Sequence, residues 1–311
     1  MIARSTMVEQ ISSEIYDGLR RYLFAVAYRM TGSAGDAEDL VQDSWIRYLD
    51  AGSPAVASLR AYLTTVVSRL SLDYLKSARI QRESYVGEWL PEPVLTSEAI
   101  PGPAEMVEQR EEISIAFLTL LEQLSPEQRA VYVLREGFGL PFEEIGVHTG
   151  RTAAACRQLY RRAQRALPGH PLPATSRVDT HRELIERFVT ALEQGSVEGV
   201  TKLLSEHVLW VGDGGPNRLA NRRPIVGRDR VTRGLLAYQA KPSLPTAVWT
   251  IEHLNGFPAV VYYVDGTVDR VISFDILGEE IVAIRGILNR DKLAHLQRSL
   301  DDIGTMRGNT P

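Results

Sequence analysis

Two proline-rich stretches decide how this chain can fold. The first, ESYVGEWLPEPVLTSEAIPGPAEMVEQREE from Glu83 to Glu112, holds Pro91, Pro93, Pro101 and Pro103 together with Gly87 and Gly102. The second, PGHPLPATS, follows Leu167. Proline fixes φ and removes a backbone donor, so neither stretch can be a continuous helix. The 311 residues are thereby cut into three blocks, each long enough to bury its own core. The expected division is 11–82, a linker over 83–111, 112–168, a second linker over 169–177, and 178–304.

The first block is helical by its period. Leu19, Leu23, Val26, Ala27 and Met30 recur at helical spacing, and Thr31-Gly32-Ser33 ends the run. A second helix starts near Ala34. Asp36, Glu38, Asp39 and Asp43 load its first turns with negative charge, which suits the helix dipole, against apolar Ala37, Leu40, Val41, Trp45 and Leu49. A third runs from Leu59 to Ala78, with Leu63, Val66, Val67, Leu70, Leu72 and Leu75 inside and Arg60, Arg69, Lys76 and Arg79 outside.

The second block begins with a helix to Leu124, after which Ser125 and Pro126 form a start signal for a helix to Arg135. Gly137 and Gly139 then break the chain before PFEEIGVHTGRTAAACRQLYRRAQR, which reads as a helix-turn-helix. Its first helix would carry Phe142, Ile145 and Val147, its turn His148-Thr149-Gly150, and its second helix would open at Thr152, whose hydroxyl can cap free amides. Between Gly146 and Val178 there is no acid, while Arg151, Arg157, Arg161, Arg162, Arg165 and Arg177 crowd the interval. That charge suits a phosphate-lined groove, and a solvated amphipathic face would look the same.

The net charge of −4 argues for a local basic patch on an otherwise acidic molecule. Cys156 is the only cysteine, so an intramolecular disulfide and a multi-cysteine zinc site are both excluded; its helical position makes it a small core residue. No apolar run is long enough to span a bilayer and Met1 to Gln10 lacks a signal-peptide core, so a soluble, cytoplasmic protein is expected.

The third block opens with helices from His181 to Leu192 and Ser196 to Leu204, and then its period changes. Val208–Gly212, Ala247–Leu254, Ala259–Asp265, Val268–Leu277 and Ile281–Leu288 read as strands, with Val226–Ala240 a helix between the first two. Helices followed by an antiparallel sheet give an α+β fold. His207, Trp210, Asp213, His253, Tyr262, Asp265 and Asp275 are the candidates for proton transfer in a pocket, and none forms a pair by spacing.

LFAVAYRMTGSAGDAEDLVQDSWIRYL followed by LRAYLTTVVSRLSLDYLKSAR resembles domain two of the extracytoplasmic-function sigma factors, and LSPEQRAVYVLRE with the helix-turn-helix resembles their domain four. WLPEP is typical of a subgroup with a fused C-terminal domain, and the order of elements in the third block resembles the SnoaL-like, cone-shaped barrel. The resemblance implies two all-α DNA-binding domains followed by an α+β regulatory domain. It implies core RNA polymerase and promoter DNA as partners, regulation in cis, no catalytic role, no cofactor and no metal.

Residue by residue, it places Asp36, Glu38, Asp39, Gln42, Asp43 and Trp45 on the polymerase-facing helix, where the acids could equally be a solvated face. Arg60, Tyr62, Arg69, Lys76, Arg79 and Arg82 would lie near the minus-ten element, cations on phosphates and Tyr62 free to stack on a base or to join the core. At the minus-thirty-five element Arg157, Gln158 and Arg161 would read base edges, with Arg151, Arg162 and Arg165 on phosphates behind Thr152. Trp89, Leu90, Pro91, Glu92 and Pro93 would dock on the extension, because Trp89 and Leu90 are expensive to leave in water.

Asp213-Gly214-Gly215 matches the start of one motif of the extension, with Pro216 and Asn217 in place of Gly-Lys. Asn289, Asp291, Lys292 and Leu293 match another, with Arg290 where proline is usual. These motifs would make the regulatory contacts, although Asp213 and Gly215 could simply form a turn. Two other readings stay open: a stand-alone regulator that senses a small molecule through the C-terminal pocket, and a SnoaL-like enzyme with helical appendages.

Overall fold

The computed structural model describes residues 18–99, 113–167 and 178–308, apart from 53, 55, 84, 217, 219, 222 and 242–245. The side chains of Arg79 and the stretches 100–112 and 168–177, including Arg177, lie outside the described residues. The chain divides into two compact units. One is built from Met1–Gln81, Ser97–Ile113 and Leu120–Gly169, the other from Arg82–Thr96, Ser114–Thr119 and His170–Pro311. The first half of the first linker, through Thr96, therefore belongs to the same unit as the C-terminal sheet.

In the first unit, α1 covers 18–31, α2 Ala34–Asp50 and α3 Leu59–Glu83. Leu23, Val26, Ala27 and Met30 of α1, Ala37 and Val41 of α2, and Leu63 and Val67 of α3 are all buried core positions. Ser33 caps α2 by accepting from the Asp36 amide at 3.2 Å. Leu49, expected inside, is 45% exposed, as is Ile46. α3 also runs five residues past its expected end at Ala78. The short α4 (Thr96–Ala99) and α5 (Ile115–Leu121) have residues in both units, and α5 stops short of the expected Leu124.

Then come α6 (Pro126–Glu136), α7 (Phe142–Thr149) and α8 (Ala153–Ala166). Ser125 and Gln128 form a reciprocal capping box at the start of α6. Arg29 of α1 is buried and donates from Nη1 to the Gly137 carbonyl at 2.7 Å, while buried Arg129 of α6 pairs with Glu122.

The second unit carries a six-stranded sheet with helices on it. α9 (Val178–Glu193) and α10 (Val197–Leu203) lead into β1 (Leu204–Asp213) and β2 (Ile225–Val226). α11 (Arg228–Gln239) precedes β3 (Val248–Leu254), β4 (Phe257–Val264), β5 (Thr267–Leu277) and β6 (Glu280–Ile287). A 3₁₀ turn, Arg290–Leu293, and α12 (Ala294–Gly308) close the unit. Strand order is β2-β1-β6-β5-β4-β3.

Two expectations are corrected here. The sheet is mixed, because β1 lies parallel to β6, with Trp210 opposite Ile284. The last strand of the meander returns beside the first, a long-range pairing that leaves no local pattern. Val226 belongs to a two-residue strand antiparallel to β1, and the helix begins only at Arg228 after Gly227. One face of the sheet buries Phe188, Val189, Val208, Val260, Phe274 and Ile284 together with α9; another core joins Leu90 and Leu95 to Val211, Leu254, Val261 and Ile287.

Candidate nucleic-acid interface and linker-docking site

The turn between α7 and α8 is built by glycine. Gly150 takes φ 69° and donates its amide to the Gly146 carbonyl, as a left-handed helix cap. At Gly146 itself a Cβ would sit 2.6 Å from the Arg151 carbonyl, so only glycine lets the next turn approach. Thr152 accepts from the Ala155 amide at 3.2 Å, so its hydroxyl is engaged as the cap of α8. Cys156 and Ala163 are buried, and this puts Arg157, Gln158, Arg161, Arg162 and Arg165 on the exposed face.

Arg157 is held by exposed Glu143 at 3.2 Å and Arg151 by half-buried Glu127 at 3.4 Å, surface pairs of small energetic weight. Val147, expected inside α7, is 63% exposed, and the helix continues through His148 and Thr149, which were expected in the turn. The inward position is taken by His148, whose Nδ1 lies 2.7 Å from Thr65 Oγ1 of α3. Arg69 of α3 donates to the Val147 carbonyl at 3.1 Å. Burial lowers the His148 pKa below its ordinary value; Glu144 opposes this and Arg69 adds to it.

On α2 the acidic residues divide. Asp36 accepts from the Tyr74 hydroxyl at 2.6 Å and Glu38 faces Arg20 at 3.4 Å, whereas Asp39, Gln42 and Asp43 are exposed. Trp45 is half-buried and stacks on Tyr48 at 5.3 Å. The open face of α2 thus runs Asp39, Gln42, Asp43, Ile46, Leu49, an acidic stripe continued by two apolar side chains that sequence reasoning left out or placed inside. On α3 Tyr62 meets Tyr48 edge-on at 5.8 Å, Arg60 covers the Tyr22 ring at 3.8 Å, and Lys76 pairs with Asp73 at 3.2 Å.

The linker is held by buried charge. Asp213, at the end of β1, is 1% exposed. Its Oδ2 accepts from the Leu90 amide at 2.8 Å and from Lys292 Nζ at 2.6 Å; its Oδ1 accepts from the Tyr85 hydroxyl at 2.6 Å and the Gly215 amide at 3.1 Å. Lys292 also donates to the Leu90 carbonyl at 2.5 Å, so both main-chain groups of Leu90 are gripped by one ion pair. The Lys292 ammonium lies 4.1 Å from the Trp89 ring centroid, and Arg82 covers the same ring at 3.6 Å.

Burial pushes the Lys292 pKa down to about 8 against the pull of Asp213. Burial also raises the Tyr85 phenol, with Asp213 reinforcing the shift. Asn289 donates to the Tyr85 hydroxyl at 3.0 Å and caps the 3₁₀ turn through the Asp291 amide. Gly215, at φ 59°, would drive a Cβ to 2.6 Å from the Asn289 amide, and a Cβ at Gly214 would meet the Arg218 carbonyl at 2.3 Å.

Further along, Val94 and Asn255 exchange two hydrogen bonds of 3.0 Å, and Thr96 bridges the His253 carbonyl and the Gly256 amide. Leu90, 1% exposed, and Pro91 and Pro93 are buried; Glu92 is half-buried. Leu293 enters the same core as Leu90. The replacements at Pro216 and Arg290 therefore leave these contacts intact.

Of the proton-transfer candidates, Asp213 belongs to this clamp and Asp275 to Arg285 at 2.5 Å; Asp265 forms a turn at φ 51° and His207 is exposed. Trp210 and Tyr262 line a cavity of about 290 Å³. Among the described residues no group of three or more His, Cys, Asp or Glu could hold a metal, and no helix is long and apolar enough to cross a membrane.

Residues 15–80 match the family model of Sigma-70 region 2, and residues 114–167 that of Sigma-70 region 4. The chain is 36% identical to the ECF RNA polymerase sigma factor SigJ of Mycobacterium tuberculosis over 89% of its length and 91% of that protein's. It is 31% identical to the probable ECF RNA polymerase sigma factor SigI of the same organism, over 90% and 94%. The crystal structure of M. tuberculosis SigJ superposes with a TM-score of 0.70 at 32% identity, covering 91% of this chain and 98% of that one. The chain belongs to the ECF RNA polymerase sigma factors.

Proposed function

We propose that this sigma factor, which directs transcription initiation, is regulated in cis by the grip of its C-terminal unit on the linker between its two helical blocks. The observation that carries the reading is the buried Asp213 and Lys292 pair closed on the backbone of Leu90. Asp39, Gln42 and Asp43, with Ile46 and Leu49, form the surface offered to core polymerase. Arg60, Tyr62, Arg69, Lys76 and Arg79 serve the minus-ten element, and the exposed face of α8 serves the minus-thirty-five element.

The length of the linker ties the clamp to activity. The two elements lie about 25 base pairs apart, on the order of 85 Å along the duplex. A free linker over 83–111 could extend to about 100 Å. With Tyr85 to Thr96 fixed on the C-terminal unit, much of that reach is lost. The contacts of Thr65 with His148 and of Arg69 with Val147 must likewise part before α3 and α8 can occupy both elements. The clamp therefore favours the inactive chain, and release accompanies binding to polymerase and promoter.

Run-off transcription with core polymerase tests this. Leu90→Ala, which removes a buried side chain worth about 2–5 kcal/mol and leaves both helical blocks untouched, should raise the yield severalfold over the wild-type chain. Trp89→Ala should act in the same direction. Unchanged or lowered yield from both variants, at equal folded protein, contradicts an inhibitory clamp.

A further inference from the structure

The cavity in the C-terminal unit has no part in the reading above. At about 290 Å³ it is close to the lower end of small-molecule pockets, about 300–1,000 Å³. Its walls are aromatic: Phe188, Trp210, Tyr238, Tyr262 and Phe274 supply flat apolar faces. Among the described residues, the charged ones on its lining are Arg270 and Lys241, and no acid lines it.

Charge balance behind the wall is uneven. Arg270 is 5% exposed and donates from Nη1 to Asp269 Oδ2 at 2.9 Å. The same carboxylate, itself buried, accepts Arg218 on Oδ1 at 2.7 Å. One carboxylate thus serves two guanidinium groups, and the pair of arginines keeps a net positive charge. Arg218 is partly exposed, so solvent takes up some of that charge, and an anion in the cavity would balance the share that stays on buried Arg270. The Arg270 guanidinium lies 4.1 Å from the Tyr262 ring centroid, which fixes its plane. Asn221 also lines the cavity, and its side-chain amide nitrogen is buried with no hydrogen-bond partner among the described residues. A donor without a partner in a cavity calls for an acceptor.

We propose that this cavity binds a small, flat aromatic monoanion, its ring between the aromatic walls and its anionic oxygens on Arg270 and Asn221. A carboxylate suits the planar guanidinium, which offers parallel donors. Lys241, exposed at the end of α11 with its ammonium 5.4 Å from the Tyr238 ring, adds to the attraction at the rim.

Titration calorimetry on the full-length chain tests the site with 2-naphthoate and its neutral isostere 2-naphthamide. The carboxylate should bind one to one, at least about tenfold more tightly than the amide. Arg270→Gln should erase that preference. Because Arg270 also helps to hold Asp269, Asn221→Ala, at a partly exposed position, provides a second variant and should weaken 2-naphthoate severalfold. Absence of 2-naphthoate binding to the wild-type chain, equal binding of acid and amide, or a preference that survives both substitutions would overturn the proposal. Transcription plays no part in this readout, so its failure leaves the linker clamp untouched.

Discussion

At the residue scale, the clamp rests on Asp213, and its neighbours explain why two glycines follow. Gly215 must take positive φ and leave room for Asn289, which in turn holds Tyr85. Gly266 has φ 76° and nothing within 4 Å of its Cβ position, so alanine there adds only backbone strain of about 1–2 kcal/mol. Gly215→Ala should add the displacement of Asn289 to a comparable strain, and so lower the melting temperature measurably more than Gly266→Ala. Equal losses in paired thermal melts would mean that the Asn289 contact carries no weight. The sequence marked Asp213, Asn289 and Lys292 as motif positions. It could not mark Arg270, Asp269 and Asn221, whose significance arises only when distant segments bring two cations to one carboxylate and leave one amide unpaired.

At the element scale, helices were legible because the 3.6-residue period and the caps at Ser33, Ser125 and Thr152 are local signals. Strands β3 to β6 were legible to within two residues from their β-branched and aromatic runs. The parallel pairing of β1 with β6 was not, since it joins segments some seventy residues apart in sequence. Val147 was misplaced for a related reason: α7 buries polar His148 against α3, and an apolar-period reading assigns the inward place to the valine.

That histidine gives the contact between α7 and α3 a pH dependence. Its pKa is depressed in the folded chain, so its contribution is fully present above the ordinary value of about 6.5 and is lost as pH falls below it. Between pH 7.5 and 5.5 the wild-type melting temperature should therefore fall more than that of His148→Gln. His181, also lowered by burial, titrates with the same sign in both proteins and cancels in the comparison. Parallel slopes would contradict a buried, neutral His148.

At the scale of the whole molecule, the proline-rich breaks announced a chain of blocks, and Trp89 and Leu90 announced that the first linker docks. The docking surface itself, two charges 79 residues apart closing on one backbone, is a product of folding. Linker release is the proposed step between the free chain and the promoter-bound one. Amide hydrogen exchange over residues 85–96, compared in the free chain and in its complex with core polymerase and promoter DNA, tests that step most directly. The Leu90 and Val94 amides, bonded to Asp213 and Asn255, should be strongly protected in the free chain and lose protection by at least an order of magnitude in the complex. Protection that is the same in both states would contradict the release of the linker.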